Sequence, residues 1–173
     1  MKKINIRVTY MEMREFAAET TPIPDGYSLQ LWKHPEPEGY LELYDRVGSD
    51  LNWVDRKLLP EAELIKRISP DYIEIYILYQ DAEIVGYAEI NKQDPKNIEL
   101  CYFGIVPAFR GKGLGKALLS SITAIVRSCN PDRFWLHTCE LDHPAAIPNY
   151  EHMGFRIYET RIEEQLVAEP KLS

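Results

Sequence analysis

Alternating hydrophobic and polar positions predict β-strands along much of the chain. From residue 4 to residue 11, apolar side chains occupy every second position, which is the period of a half-buried strand. Three later runs, rich in β-branched and aromatic residues and joined by short turns, predict an antiparallel meander that ends at Pro107. These three runs, and three others that predict further strands, cover 72–79, 82–91, 98–106, 27–31, 134–138 and 156–165.

Helical spacing of apolar residues predicts four helices between the strands. They cover 40–47, 60–69, 114–129 and a segment that starts near Pro144 and ends at Gly154. Two of these helices carry a clear apolar side that we expect to be buried. Its members are Leu64, Ile65 and Ile68 in the second helix, and Leu114, Leu118, Ile122, Ile125, Val126 and Cys129 in the third.

The order of these elements defines the fold class. Because a helix joins the strands at 98–106 and 134–138, these two strands are expected to run parallel. We therefore predict one α/β domain over residues 1–173, with a mixed, mainly antiparallel central sheet and helices on both faces.

Composition narrows the class of partner. A net charge of −7 over 173 residues argues against nonspecific nucleic-acid binding and favours attraction of a cationic small molecule. Three cysteines without a Cys-x-x-Cys pair argue against a disulfide framework or a thiolate zinc site. No apolar run approaches the roughly 20 residues of a membrane helix, and no signal-peptide core follows the first lysines. We expect a cytoplasmic protein with no membrane partner.

A glycine-rich turn precedes the third helix and predicts a phosphate or pyrophosphate site. Glycine lets the backbone adopt positive φ, and the N–H groups that begin a helix lack internal partners and attract anions. Cations at a helix N-terminus are unfavourable unless an anion lies between them. The glycines and the basic residues of this turn are Arg110, Gly111, Lys112, Gly113, Gly115 and Lys116.

Two common phosphate-binding loops fit this turn poorly. A Walker A loop places serine or threonine after its lysine, but Ala117 follows Lys116. A dinucleotide fingerprint lacks its third glycine here. The spacing Arg-x-x-Gly-x-Gly, formed by Arg110, Gly113 and Gly115, instead resembles the acyl-CoA pyrophosphate loop of the GNAT superfamily of N-acetyltransferases.

A second motif strengthens this resemblance. The chain reads His143-x-x-Ala146-x-x-x-Tyr150-Glu151-x-x-Gly154-Phe155, and the superfamily pattern is similar, with asparagine at the first position. The departure at His143 puts one contact to the pantetheine region in question. The resemblance covers residues 72–158, whereas the first 70 residues or so match only in element order.

The resemblance implies acetyl-CoA as co-substrate, no metal, and direct attack by a primary amine of a small molecule or peptide. Tyr150 is implied as the group that protonates the departing thiolate. Backbone groups near Phe103 and Ile105 are implied to hold the pantetheine arm, and the N–H groups of 111–116 the pyrophosphate. The implied cofactor-binding residues are Phe103, Ile105, Arg110, Gly111, Lys112, Gly113, Leu114, Gly115, Lys116 and Asn149.

The general base has several candidates. His137 lies near the end of a strand and belongs to the residue type that titrates near neutrality, while Glu99 and Glu89 lie on central strands. No histidine spacing indicates a metal site, and Cys139 is expected to be an inert buried thiol. One group of residues before the meander forms either core or one wall of an acceptor pocket: Tyr40, Tyr44, Trp53 and Asp55.

Two other functions stay open at this point. A non-catalytic, acyl-CoA-binding regulatory domain would keep the glycine turn. A nucleotide-binding phosphotransferase is disfavoured by the missing hydroxyl after Lys116.

The superfamily usually ends in a two-strand hairpin, but only 167–173 follow the last predicted strand. We expect the second strand to be missing and the extra N-terminal strand to replace it, either within the sheet or at a homodimer contact.

Overall fold

A seven-stranded mixed sheet runs through residues 1–167, the part of the chain that this computed structural model describes. The strand order is β2-β3-β4-β5-β6-β1-β7. Only β5 and β6 pair in parallel, and the other neighbours are antiparallel, which confirms the predicted sheet. The strands are β1 Lys2–Met13, β2 Tyr27–Leu31, β3 Ile73–Gln80, β4 Glu83–Asn91, β5 Asn97–Ile105, β6 Arg133–Cys139 and β7 Arg156–Val167.

Four helices connect these strands, as predicted. Helices α1 and α4 differ from their predictions at the N-terminus. Helix α1 starts earlier than predicted, because proline at its first position suits a helix start. Helix α4 starts two residues after Pro144. Among the helices of residues 1–167, none combines the length and the apolar character needed to cross a membrane. The helices are α1 Pro37–Gly48, α2 Glu61–Ile68, α3 Leu114–Ser128 and α4 Ala146–Met153.

Two apolar cores cover the two faces of the sheet. Consecutive residues of β4 point to opposite faces, so that Tyr87 packs against α1 and α2 while Ala88 packs in the core of α3 and α4. Both side chains are fully buried. Helices on both faces are therefore confirmed, and the aromatic core under α1 contains Tyr40 and Tyr44.

Two helix residues differ from the expected burial. Ile65 is 40% exposed, because α2 turns only the stripe of Leu64 and Ile68 toward the sheet and Ile65 lies about 100° around the helix from Leu64. Cys129 is exposed, because α3 ends at Ser128 and Cys129 follows as its C-terminal cap.

The N-terminal strand β1 lies inside the sheet, between β6 and β7. This position confirms the expectation that the extra strand is accommodated within the sheet. The prediction of a half-buried strand holds for the first part of β1, where Ile6 and Val8 are buried while Asn5 and Arg7 are exposed. It is wrong for the second part, where Met11 and Met13 are buried on the other face as well. Residues 168–173, where a further strand would have to follow, lie outside the described residues.

Candidate active site

The two parallel strands β5 and β6 diverge and leave a large opening between them. They pair only over Asn97–Glu99 and Arg133–Trp135, within residues 1–167. Beyond this point β5 stays paired to β4 on its other side, through Phe103 and Ile105. A cavity of about 1370 Å³ occupies this region and is lined by both strands. Open α/β sheets bind ligands at this place, outside the carboxyl ends of parallel strands.

The glycine turn borders this cavity and requires glycine for conformational reasons. Gly111 has φ 79° and Gly113 has φ 77°, which other residues adopt only with strain. A Cβ atom added at either position would have no heavy atom within 4 Å, so the requirement comes from the backbone rather than from crowding. By contrast, a Cβ at Gly115 would make ordinary contacts with Ile105 and Phe103.

Helix α3 begins at Leu114 with its N–H groups open to an anion. The first hydrogen bond of the helix joins the Ala117 N–H to the Gly113 carbonyl at 3.2 Å, so the N–H groups before it have no partner inside the helix. No side chain caps this end. Exposed N–H groups together with the helix dipole form a suitable anion site.

The three cations predicted at the turn have different environments. The Arg110 guanidinium donates to both oxygens of Asp50, at 2.5 and 3.0 Å, and also to the carbonyl oxygens of Val47 and Ile105. These hydrogen bonds, together with the charge of Arg110, hold the pKa of Asp50 below the ordinary value. Arg110 lines the cavity, but its guanidinium is already occupied by these hydrogen bonds, which join α1 to β5.

The two lysines differ in their position relative to the cavity. Lys112 lies over the ring of Phe109, with Nζ 5.2 Å from the ring centroid, and is outside the cavity lining, whereas Lys116 belongs to the lining. The structure brings the remaining predicted site residues to this cavity. They are Phe103, Ile105, Gly111, Gly113, Leu114, Gly115, His137, Asn149 and Tyr150.

Tyr150 projects from α4 into the wall of the cavity and is 8% exposed. Its ring centroid lies 6.1 Å from that of Phe103 and 5.8 Å from that of Phe155, which fixes its position. Burial and the nearby carboxylate of Asp142 raise the pKa of Tyr150 well above the ordinary value. The hydroxyl therefore stays protonated at neutral pH and can act as a proton donor.

A histidine and a carboxylate face each other on the divergent strands. His137 Nε2 lies 4.0 Å from Glu99 Oε1, and both residues line the cavity. The His137 side chain is half exposed, while that of Glu99 is 22% exposed. Burial raises the pKa of Glu99, and His137 offsets part of this effect. A carboxylate with a raised pKa is closer to the value that suits a base near neutral pH.

Glu89, the third candidate base, forms a buried ion pair. Its side chain is fully buried, and its two oxygens accept hydrogen bonds from Arg56 at 2.7 Å and from the Tyr40 hydroxyl at 2.6 Å. Burial raises the pKa of Glu89, and Arg56 and Tyr40 offset part of that effect. Both oxygens are occupied, so we interpret Glu89 as a residue that positions the segment carrying Arg56.

Sequence reasoning did not identify Arg56. It lies in a short 3-10 helix, Arg56–Leu58, and is 8% exposed although it sits in a run of charged residues that looks solvated. Its guanidinium lies over the rings of Tyr102 at 5.1 Å and Tyr40 at 5.8 Å. No local pattern distinguishes Arg56 from its exposed neighbour Lys57, so the sequence contains no signal for this contact.

The aromatic group before the meander contributes both to the core and to the wall of the cavity. Tyr40 belongs to the core alone, whereas Tyr44, Trp53 and Asp55 line the cavity. The Trp53 ring packs so closely on Gly48 that a Cβ there would lie 2.2 Å from Trp53 Cδ2. This contact explains glycine at the end of α1 and fixes Trp53 as a wall of the cavity.

Cys139 lies in the wall of the cavity and is partly buried. Burial raises the pKa of Cys139 to about 11, so its thiol is protonated at neutral pH, in agreement with an inert thiol. Within residues 1–167, no group of three or more histidine, cysteine, aspartate or glutamate side chains is placed to hold a metal ion.

Comparison with protein families identifies the class of this fold and site. The family model described as "Acetyltransferase (GNAT) family" matches residues 13–155, and the chain belongs to this family. A relative, the mycothiol acetyltransferase of Corynebacterium glutamicum (strain R), is 28% identical over 89 residues, which cover 51% of this chain and 30% of the relative. An uncharacterized N-acetyltransferase of Mycobacterium bovis is 31% identical over 81 residues, 47% of this chain and 51% of that protein.

Solved structures show the same fold at low sequence identity. A tandem GNAT protein from the clavulanic acid biosynthesis pathway aligns with a TM-score of 0.66 and 17% identity, over 96% of this chain and 55% of that one. The ribosomal-protein-S18-alanine N-acetyltransferase from Escherichia coli aligns with a TM-score of 0.58 and 16% identity, over 74% and 76% of the two chains. The chain thus spans about a third of the mycothiol acetyltransferase and about half of the tandem protein.

Proposed function

We propose that this protein transfers the acetyl group of acetyl-CoA to a primary amine of a small molecule or peptide by direct attack. One observation carries the proposal: a single cavity is lined by the open helix N-terminus of α3, by Tyr150, and by the pair of His137 and Glu99. An anion site, a proton donor and a proton acceptor are the groups that this transfer needs.

The donor half of the cavity would hold acetyl-CoA. The N–H groups at the start of α3 suit the pyrophosphate, and beside them lies Lys116, which forms no salt bridge within residues 1–167. The backbone of β5 near Phe103 and Ile105, which is not paired to β6 within the described residues, suits the extended pantetheine arm. Such an arm binds to a strand edge much as an added strand does.

The acceptor half would carry the proton transfers. The amine nitrogen attacks the thioester carbon, and the carbon–sulfur bond breaks. His137 takes the proton that the amine loses, and Glu99, 4.0 Å from Nε2, stabilises the resulting imidazolium charge. Tyr150 donates its proton to the departing thiolate and regains one from solvent. The negative net charge of the protein favours a cationic acceptor.

Calorimetry followed by an acceptor screen tests the proposal. The protein is titrated with acetyl-CoA, CoA and ATP, and then amines, peptides and aminoglycosides are screened with acetyl-CoA for release of the CoA thiol. We expect binding of both CoA species and thiol release with at least one amine. Binding without transfer to any acceptor would favour a regulatory acyl-CoA-binding domain, and binding of ATP alone would favour phosphotransfer.

A further inference from the structure

We propose that the acceptor is a diamine or polyamine, whose second cationic nitrogen binds on β7 at Glu163 and Gln165 while its reacting amine lies beside Glu99 and His137. This inference rests on the proposed acetyl transfer and adds the class of acceptor. Both β7 side chains line the same cavity as the two residues on β5 and β6.

The two carboxylates lie at separate places along the cavity wall. Glu163 and Gln165 are two residues apart on β7 and therefore share a face. Strands β6 and β1 lie between β5 and β7, so three strand spacings of roughly 4.8 Å separate the two backbones laterally. The register places Glu99 level with Glu12 and Glu163 level with Ile6 on β1, which adds six residues of roughly 3.3 Å along the strands and puts the two backbones about 25 Å apart. An acceptor that extends along the cavity meets one carboxylate near the reacting amine and another farther away.

The Glu163 carboxylate is oriented but not neutralised. The Tyr10 hydroxyl donates a hydrogen bond of 2.6 Å to Glu163 Oε1, and the Tyr10 ring lies 5.6 Å from the His137 ring. This neutral donor leaves the negative charge in place and leaves Oε2 able to accept another hydrogen bond. The carboxylate is therefore preorganised for a cation.

Two cations in this region, Arg161 and Lys3, are paired with other carboxylates. Arg161 donates two hydrogen bonds of 2.7 Å to Glu159. Lys3 lies 2.6 Å from Glu164. The charge of Arg161 also interacts with that of Glu163, but the hydrogen bonds of Arg161 go to Glu159, and neither Arg161 nor Lys3 forms a salt bridge with Glu163 within residues 1–167.

Gln165 supplies a second acceptor beside Glu163. Its Oε1 atom is buried and has no hydrogen-bond partner among residues 1–167, which is an unfavourable state for a polar atom. Rotation about the last torsion of the side chain, which is broad in glutamine, would present this oxygen to the cavity. An ammonium group has three donors, and Glu163 and Gln165 can accept two of them.

A comparison of monoamines with α,ω-diamines of equal chain length tests the inference. Release of the CoA thiol is measured for a series of increasing length, and the ratio of kcat/KM between diamine and monoamine is compared. At the best length we expect a ratio of about ten or more, the effect of one added charge-assisted hydrogen bond. In Glu163→Gln the ratio should fall toward one. Glu83→Gln is the matched control, because it makes the same change of charge at an exposed residue of β4 outside the cavity lining, and it should keep the wild-type ratio.

The outcomes separate this inference from the proposed function. A ratio near one at every length, or an equal loss for both acceptor types in Glu163→Gln, would overturn the diamine assignment while acetyl transfer stands. If acetyl-CoA binds but no amine is acetylated, the proposed function fails. Calorimetric titration of the CoA-bound protein with the same diamines then tests the site directly: we expect about tenfold weaker binding in Glu163→Gln, and equal affinities would overturn the inference.

Discussion

Removal of either partner of the buried Glu89–Arg56 pair should destabilise the protein strongly. Glu89 is fully buried, Arg56 is 8% exposed, and a hydrogen bond of 2.7 Å joins them. Loss of one charge leaves the other uncompensated in the interior, which costs about 3–5 kcal/mol. In a chain of this size each kcal/mol lowers Tm by about 2–4 °C, so we expect a decrease of about 6–20 °C.

The two single variants should differ in their pH dependence. In Glu89→Gln the Arg56 guanidinium stays charged at every accessible pH, so the loss of stability persists. In Arg56→Met, Glu89 can be buried in its protonated form, because burial raises its pKa. A raised pKa in the folded state stabilises the protein below the unfolded value of about 4.3, and this stabilisation disappears as the pH rises through the folded value. Arg56→Met should therefore regain stability on acidification relative to Glu89→Gln.

Urea and thermal unfolding, followed by circular dichroism between about pH 5 and about pH 8, measure both effects against the wild type. Lys57→Met is the matched control: Lys57 is adjacent in sequence but forms an exposed pair with Asp45, and such pairs contribute about 0–1 kcal/mol. The reasoning is refuted if Arg56→Met loses no more stability than Lys57→Met, or if its loss is the same at both ends of the pH range.

Three further predictions concern the cavity. Tyr150→Phe should lower kcat by about 10²–10⁴ with nearly unchanged acetyl-CoA affinity by calorimetry, because only the proton donor is lost. Gly113→Ala should weaken acetyl-CoA binding, because an alanine at positive φ costs about 1–2 kcal/mol or forces the turn to change. Gly26→Ala, with φ 86° at a glycine outside the cavity lining, is its control for strain alone. Lys116→Ala should reduce the salt dependence of CoA affinity more than Lys112→Ala, because only Lys116 of these two lines the cavity.

Each of these predictions can fail in a distinct way. Full activity in Tyr150→Phe would assign protonation of the thiolate to water or to another residue. Unchanged acetyl-CoA affinity in Gly113→Ala, with the fold intact, would show that the pyrophosphate is not held at this turn. A CoA affinity that does not depend on salt, or that responds equally to both lysine variants, would remove Lys116 from the phosphate site.

Local patterns in the sequence were sufficient for the helices and strands and for the glycine turn before α3. The strands and helices follow from periods of two and 3.6 residues, and the turn at 110–116 follows from its glycines. These features depend on residues that are close together in the chain. The same holds for Tyr150, because its place on α4 follows from the motif around it.

Contacts between distant segments could not be predicted in the same way. The side chain of Arg110 looks like a phosphate ligand in sequence, but it is bound to Asp50, sixty residues away. Arg56 and Glu89 belong to segments 33 residues apart, and each alone looks like a surface charge. Two alternatives for the N-terminal strand remained open for the same reason, since its alternation is compatible with a sheet interior and with a dimer contact.

The family match and the proposed acceptor site cover different parts of the chain. The match spans 13–155, which includes the glycine turn, His137 and Tyr150, whereas Glu163 and Gln165 lie on β7 beyond it and most of β1 lies before it. Because β1 is inserted between β6 and β7, it places Tyr10 beside His137 and within hydrogen-bonding distance of Glu163. The N-terminal strand thus connects the matched half of the cavity to the unmatched half. Membership in the family supports the proposed acetyl transfer, whereas the proposed site for the second nitrogen of the acceptor rests on β1 and β7, which lie almost entirely outside the match.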